Sequence, residues 1–85
     1  MRLGVQFTGE VPANSTKRWF TFRWPQEWRV IWMVVPVAPI QDSAPQIHWT
    51  VNVERQTAEF LKYWIEITNT SGAPVQIEAR YAVLE

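Results

Sequence analysis

The chain has 85 residues, with eight Lys or Arg balanced by eight Asp or Glu, and it contains six Trp, four Phe, two Tyr and no Cys. That length fits one small domain, 1–85, whose core has no disulfide to help it; with no cysteine and a single histidine, His48, neither a cysteine metal site nor a histidine cluster is available. The zero net charge removes the general field that would draw nucleic acid or an anionic membrane.

In chain order the first predicted element is a strand over residues 3–8, followed by a connection over residues 10–15. Lys17-Arg18-Trp19-Phe20-Thr21-Phe22-Arg23-Trp24 comes next and reads as a strand over 16–23. Strand alternation places Arg18, Phe20, Phe22 and Trp24 on one face, which is mostly apolar and is expected to be core. Lys17, Trp19, Thr21 and Arg23 fall on the wetter face. Trp24-Pro25-Gln26-Glu27 is expected to turn the chain into a strand over 28–35. Trp24, Trp28 and Trp32 would also share a helical face, but the β-branched run and Pro36 argue against a helix.

Val30-Ile31-Trp32-Met33-Val34-Val35 is apolar at both parities, the pattern of a strand covered on both sides and central in its sheet. The Pro-rich stretch 36–45 is expected to cross from one sheet to another. Ile47, Trp49, Val51 and Val53 then alternate with His48, Thr50, Asn52 and Glu54, a strand with one dry and one wet face. Residues 56–62 suit a short helical turn or a loop with a strand start. Tyr63, Ile65 and Ile67 alternate with Lys62, Trp64, Glu66 and Thr68, and Val75, Ile77, Ala79, Tyr81 and Val83 alternate with Gln76, Glu78, Arg80 and Ala82. The turn residues Asn69-Thr70-Ser71-Gly72-Ala73-Pro74 between these two runs predict a hairpin. The terminal Leu84-Glu85 pair is given no weight.

Six strands and little or no helix make the expected fold all-β, a small antiparallel sandwich or flattened barrel. The start of the chain lacks a long apolar segment, and the longest apolar stretch, 30–40, holds two prolines and is too short to span a bilayer. The reading is a soluble chain of undetermined compartment. Asn14-Ser15-Thr16 and Asn69-Thr70-Ser71 match the glycosylation acceptor pattern, which arises often by chance.

Chemistry is sparse. A Ser-His-Asp arrangement would have to recruit His48, Asp42 and one of Ser15, Ser43 or Ser71, and no motif supports it. Glu66 and Glu78 would lie on the wet faces of two pairing strands and are expected to meet Lys62 and Arg80 as ordinary cross-strand ion pairs. Gly4, Gly9 and Gly72 form no phosphate loop. The chain is therefore expected not to be an enzyme and to need no cofactor or metal.

The aromatic rings carry what functional signal there is. Trp28, Trp32 and Trp49 stand in apolar alternation and are expected in the core, with Trp24 packing down on it. Trp19 with Arg23, and Trp64 with Lys62 and Glu66, are left beside polar neighbours. A Trp so placed is a stacking platform for a ligand, part of a subunit interface, or core beneath a second sheet. Two functions follow. One is a recognition module that binds carbohydrate through Trp64, Trp19, Arg23, Lys62 and Glu66. The other is an assembly protein in which aromatic-rich faces and edges are buried by identical copies. Residues 1–29 carry five cations against two carboxylates and residues 30–85 three against six, an asymmetry that suits pairing between subunits. With 47% apolar residues and exposed sheet edges, a homo-oligomer is expected under either reading. Nucleic acid and membrane insertion are the weaker expectations.

Overall fold

The computed structural model describes residues 1–84; Glu85, half of the terminal pair set aside above and the last residue of the expected domain, lies outside the described residues. The chain forms β1 (Arg2–Val11), β2 (Ser15–Pro25), β3 (Arg29–Ala38), β4 (Ile47–Arg55), β5 (Phe60–Asn69) and β6 (Val75–Leu84). They build two three-stranded antiparallel sheets, ordered β1-β6-β3 (sheet A) and β2-β5-β4 (sheet B). The sheets face each other over a core of Val11, Trp24, Trp32, Val34, Ile65, Ile67, Val75, Ile77, Ala79 and Val83. The all-β reading holds, and the helical alternatives at 24–32 and 56–62 do not form.

Two topological expectations are overturned. The last two runs are not a hairpin: β5 and β6 are the middle strands of opposite sheets, and residues 70–74 carry the chain between them. Their inner rows are the driest in the molecule, with Ile65, Ile67, Val75, Ile77, Ala79 and Val83 each 0–1% exposed. Two rows that apolar bury most surface by facing each other across the core, which side-by-side pairing would not allow. The corner between them is held by Asn69. Its Nδ2 donates to the carbonyls of Val11 (3.0 Å) and Ala73 (2.8 Å), while Oδ1 accepts from the Ser71 N–H (2.8 Å) and hydroxyl (2.7 Å). The second glycosylation triplet is thus a structural corner, with its amide already committed.

The second correction concerns β3, which is an edge strand of sheet A rather than a central one. Val30, Trp32 and Val34 turn inward, whereas Ile31 and Met33 are exposed on the outer face. Apolar residues at both parities mark here a strand whose outer face is also apolar. The hairpin that does form joins β4 to β5, closed by Gln56 and Thr57 N–H groups on the Phe60 carbonyl and by the Thr57 hydroxyl accepting from Glu59 and Phe60. The Pro-rich segment crosses between the sheets as expected, over 39–46. The connection foreseen over 10–15 shrinks to residues 12–14, with Asn14 at φ 52°.

In β2 the expected faces are exchanged. Trp19 and Thr21 point toward the core, while Phe20 and Phe22 are exposed. A bulge between Thr21 and Trp24, with Arg23 at φ 64°, then inserts a residue and returns Trp24 to the interior. Because strand alternation has period two, one such residue reverses every assignment on its far side.

Trp24 is the hub of the aromatic core. Its ring meets those of Trp32 (5.3 Å), Tyr81 (5.2 Å), Trp28 (6.2 Å) and Tyr63 (6.2 Å), all near edge-to-face. Burial holds the Tyr63 phenol above its ordinary pKa. The neutral form is favoured in the folded state, so the Tyr63 contribution to stability is complete below about pH 10 and is lost as pH rises from there through the folded value. Phenolate absorbance is expected to show one tyrosine ionising late, and Tyr63→Phe should lessen the alkaline loss of stability. An unchanged alkaline unfolding profile would refute this.

Candidate functional site

With Trp24 and Trp32 buried in the core and Trp28 half-buried against it, the remaining aromatic surface falls largely on the outer face of sheet B. The β2–β5–β4 register sets Phe20, Trp64 and Asn52 in one row across the sheet, and Arg18, Glu66 and Thr50 in the next. Lys62 stands opposite Glu54, and Thr68 lies between Thr16 and His48, with the two threonine hydroxyls 2.8 Å apart. A shallow depression of about 300 Å³ is lined by Arg18, Asn52, Trp64 and Glu66.

Trp64 is held in place from several sides. Its indole N–H donates to Glu54 Oε1 at 2.8 Å, and Phe20 lies against it with ring centroids 5.2 Å apart. The Lys62 ammonium sits 4.6 Å from the Trp64 centroid and 4.4 Å from that of Phe20, and the Arg18 guanidinium is 5.4 Å from Trp64. Each cation over an aromatic face is worth about 0.5–1 kcal/mol at an exposed site. Together these contacts set the orientation of the ring. Two cations and two carboxylates surround it, so the local charge is balanced.

Three of the five residues singled out in the sequence, Trp64, Lys62 and Glu66, share this face. Trp19 does not, and Arg23 lies beyond the depression rather than in it. Trp19 is on the inner side of β2, stacked on Phe7 with centroids 5.1 Å apart and planes 22° from parallel, under the Lys17 ammonium at 5.4 Å. It closes that side of the sandwich against Gly9, where an added Cβ would lie 2.9 Å from the ring. Arg23 occupies the bulge, with its guanidinium 5.1 Å from the Phe60 ring and its backbone N–H donating to Gln56 Oε1. Arg18, Phe20, Asn52 and Glu54 are the residues that sequence reading missed. The face exchange in β2 hid the first two, and the β4–β5 register, which brings the others beside Trp64, is visible only once the strands are paired.

Glu66 and Glu78 are on outer faces of opposite sheets, so they form no carboxylate pair. Glu78 is bridged by Arg80 of its own strand, Nε to Oε2 at 2.5 Å. His48, Asp42 and Ser43 are all exposed. Among the described residues no group of three His, Asp or Glu is placed to hold a metal ion, and no helix is long and apolar enough to cross a membrane.

Sheet A presents a second surface. Leu3 (72% exposed), Val5 (52%), Ile31 (53%) and Met33 (53%) form two apolar ridges on β1 and β3. Ala82 and Arg80 on β6 lie between them, leaving a depression of about 400 Å³. Trp49, expected in the core, is instead 37% exposed on β4, alongside Val51 and Val53. These residues point inward, but edge strand β4 is not fully covered by sheet A. Searches of protein-family models, curated proteins and solved structures return no match to this chain.

Proposed function

We propose that the chain is a non-catalytic recognition domain that binds neutral carbohydrate in the Trp64 depression. The observation that carries this reading is the company Trp64 keeps. An aromatic ring of fixed orientation lines a depression together with a guanidinium, a carboxamide and a carboxylate. Sugars present apolar C–H faces that suit an aromatic ring, here by displacing a flexible Arg18 or Lys62 side chain from the Trp64 face, and hydroxyls that each both donate and accept. Arg18 donates, Glu66 accepts and Asn52 does both. The balanced charge of Arg18 and Lys62 against Glu54 and Glu66 favours a neutral ligand over an acidic one. Such a shallow site fits weak single-site affinity, roughly millimolar.

The test is intrinsic tryptophan fluorescence across a broad glycan panel. At least one neutral glycan is expected to change the emission, and Trp64→Ala to weaken that glycan by about tenfold or more, the loss of an aromatic contact worth about 1–2 kcal/mol. The variant should fold, because Trp64 lies outside the core. A flat response over the whole panel would remove this reading.

The apolar outer face of sheet A favours a second reading, an assembly role. Four large apolar side chains more than half exposed on one face of an 85-residue chain make a candidate contact between subunits. Under that reading Met33→Lys shifts the molecule to a smaller species in light scattering.

A further inference from the structure

The four edge strands are not alike. β1 carries a register shift between Val5 and Phe7. β2 carries one between Thr21 and Trp24 and ends in Pro25. β3 contains Pro36 and a shift between Pro36 and Ala38. Bulges and prolines are the devices that keep a free edge from pairing with another chain. β4 has neither: Ile47–Arg55 runs against β5 over nine consecutive residues without a shift. It is also the strand whose inward residues stay exposed, Trp49 at 37%, Val51 at 38% and Val53 at 60%.

We propose that β4 is a docking edge for a second copy of this chain, paired antiparallel about a two-fold axis midway between the two Val51 residues, so that sheet B continues across both subunits as six strands. Directly opposed residues of an antiparallel pair present their side chains to the same face. A two-fold axis that continues the sheet must therefore pass midway between two copies of the same residue, and Val51 is the middle of β4, so this register pairs the whole strand. It is self-complementary. On the outer face His48 meets the partner's Glu54, and Thr50 meets the partner's Asn52. On the inner face Trp49 meets the partner's Val53 and Val51 meets the partner's Val51, aromatic with β-branched and β-branched with itself. The exposed inner strips of the two copies become one continuous apolar row.

The pairing does not depend on what Trp64 binds, but it has a consequence for that site. Both Trp64 depressions come to lie on one face. Three strand spacings of about 4.8 Å and a two-residue offset of about 7 Å set the two rings about 16 Å apart. A ligand with repeated units would then be held at both sites, and avidity would raise a weak single-site affinity.

Because the natural chain has no cysteine, single-cysteine variants test the register directly. In this register the Cα atoms of residue 51 are about 5 Å apart, within disulfide range, whereas those of residue 50 are about 8 Å apart. Under mild oxidation Val51→Cys should form a covalent dimer and Thr50→Cys should not, while Thr50→Cys mixed with Asn52→Cys should cross-link as a heterodimer. In light scattering the natural chain should be a dimer, Val51→Lys should raise its dissociation constant on the order of a hundredfold, and Met33→Lys should leave it unchanged. Circular dichroism checks that each variant is folded. A monomeric natural chain, cross-linking of Thr50→Cys as fast as Val51→Cys, or a dimer lost in Met33→Lys but kept in Val51→Lys would each overturn the proposal.

Discussion

Asn69→Ala is expected to destabilise the fold by about 3 kcal/mol, read as a lower urea midpoint with an unchanged slope. Asn69 is fully buried and makes four hydrogen bonds. The most costly loss is at the Val11 carbonyl, since Val11 is itself 0% exposed and its oxygen would lose the Asn69 donor. An acceptor left unsatisfied in such a place costs about 1–3 kcal/mol. The other bonds shape the turn that swings the chain from β5 in one sheet to β6 in the other. An 85-residue domain has about 4–13 kcal/mol of total stability, so this one side chain would account for a large part of it. Asn69→Asp separates hydrogen bonding from volume. It keeps the shape but sets carboxylate lone pairs against two carbonyls, and it should be no more stable than the alanine variant at neutral pH. Either variant matching the natural chain would show that the corner is held by something else.

The second large effect is at Trp24. Truncation to alanine removes the ring that four other aromatic rings meet edge-on, and a loss of about 4 kcal/mol is expected. The near-ultraviolet circular dichroism should collapse with it, because that signal depends on rings held in fixed mutual orientation. Trp24→Phe separates the two functions of the side chain. A smaller ring still fills part of the space, but the 2.6 Å bond from the indole N–H to the buried Thr21 hydroxyl is lost, at about 1–2 kcal/mol. If Trp24→Ala unfolded at the same urea concentration as the natural chain, the core would not be organised around this ring.

How much of this could be read from the chain depended on whether a feature was local or pairwise. The alternation of Tyr63, Ile65 and Ile67 and of Val75, Ile77 and Ala79 gave both strands and their dry faces correctly, because side-chain parity belongs to a single strand. Their partnership could not be read in the same way. Asn69-Thr70-Ser71-Gly72-Ala73-Pro74 has the composition of a hairpin turn, but the same residues build a corner once Asn69 reaches across to Val11 on β1. The faces of β2 depart from simple strand parity for a comparable reason. A bulge at Arg23 allows both Thr21 and Trp24 to point inward, and no residue type announces it. β3 reads as a central strand because an apolar outer face and a covered one have the same sequence signature.

The candidate site was legible in part. Trp64 stood out because it breaks the alternation of its own strand, and Lys62 and Glu66 follow from it by parity. Arg18 and Phe20 reach it from β2, and Asn52 and Glu54 from β4, through register alone. Trp19 looked equivalent to Trp64 by local reasoning, yet its neighbours Phe7 and Gly9 belong to another strand and make it part of the closure of the sandwich.

The claim that Trp64 is the working ring among six is tested most directly by the indole N–H region of a proton–nitrogen correlation spectrum, recorded with increasing amounts of the best glycan from the panel. Six tryptophans give six indole signals, and Trp64→Phe identifies the one at issue. The expected result is a progressive, saturable shift of the Trp64 signal, whose N–H lies beside Glu54 at the depression, with the buried Trp24 and Trp32 signals unmoved. Saturable shifts at Trp49 or Trp28 with Trp64 unmoved would contradict the account and place the binding surface elsewhere on the sandwich.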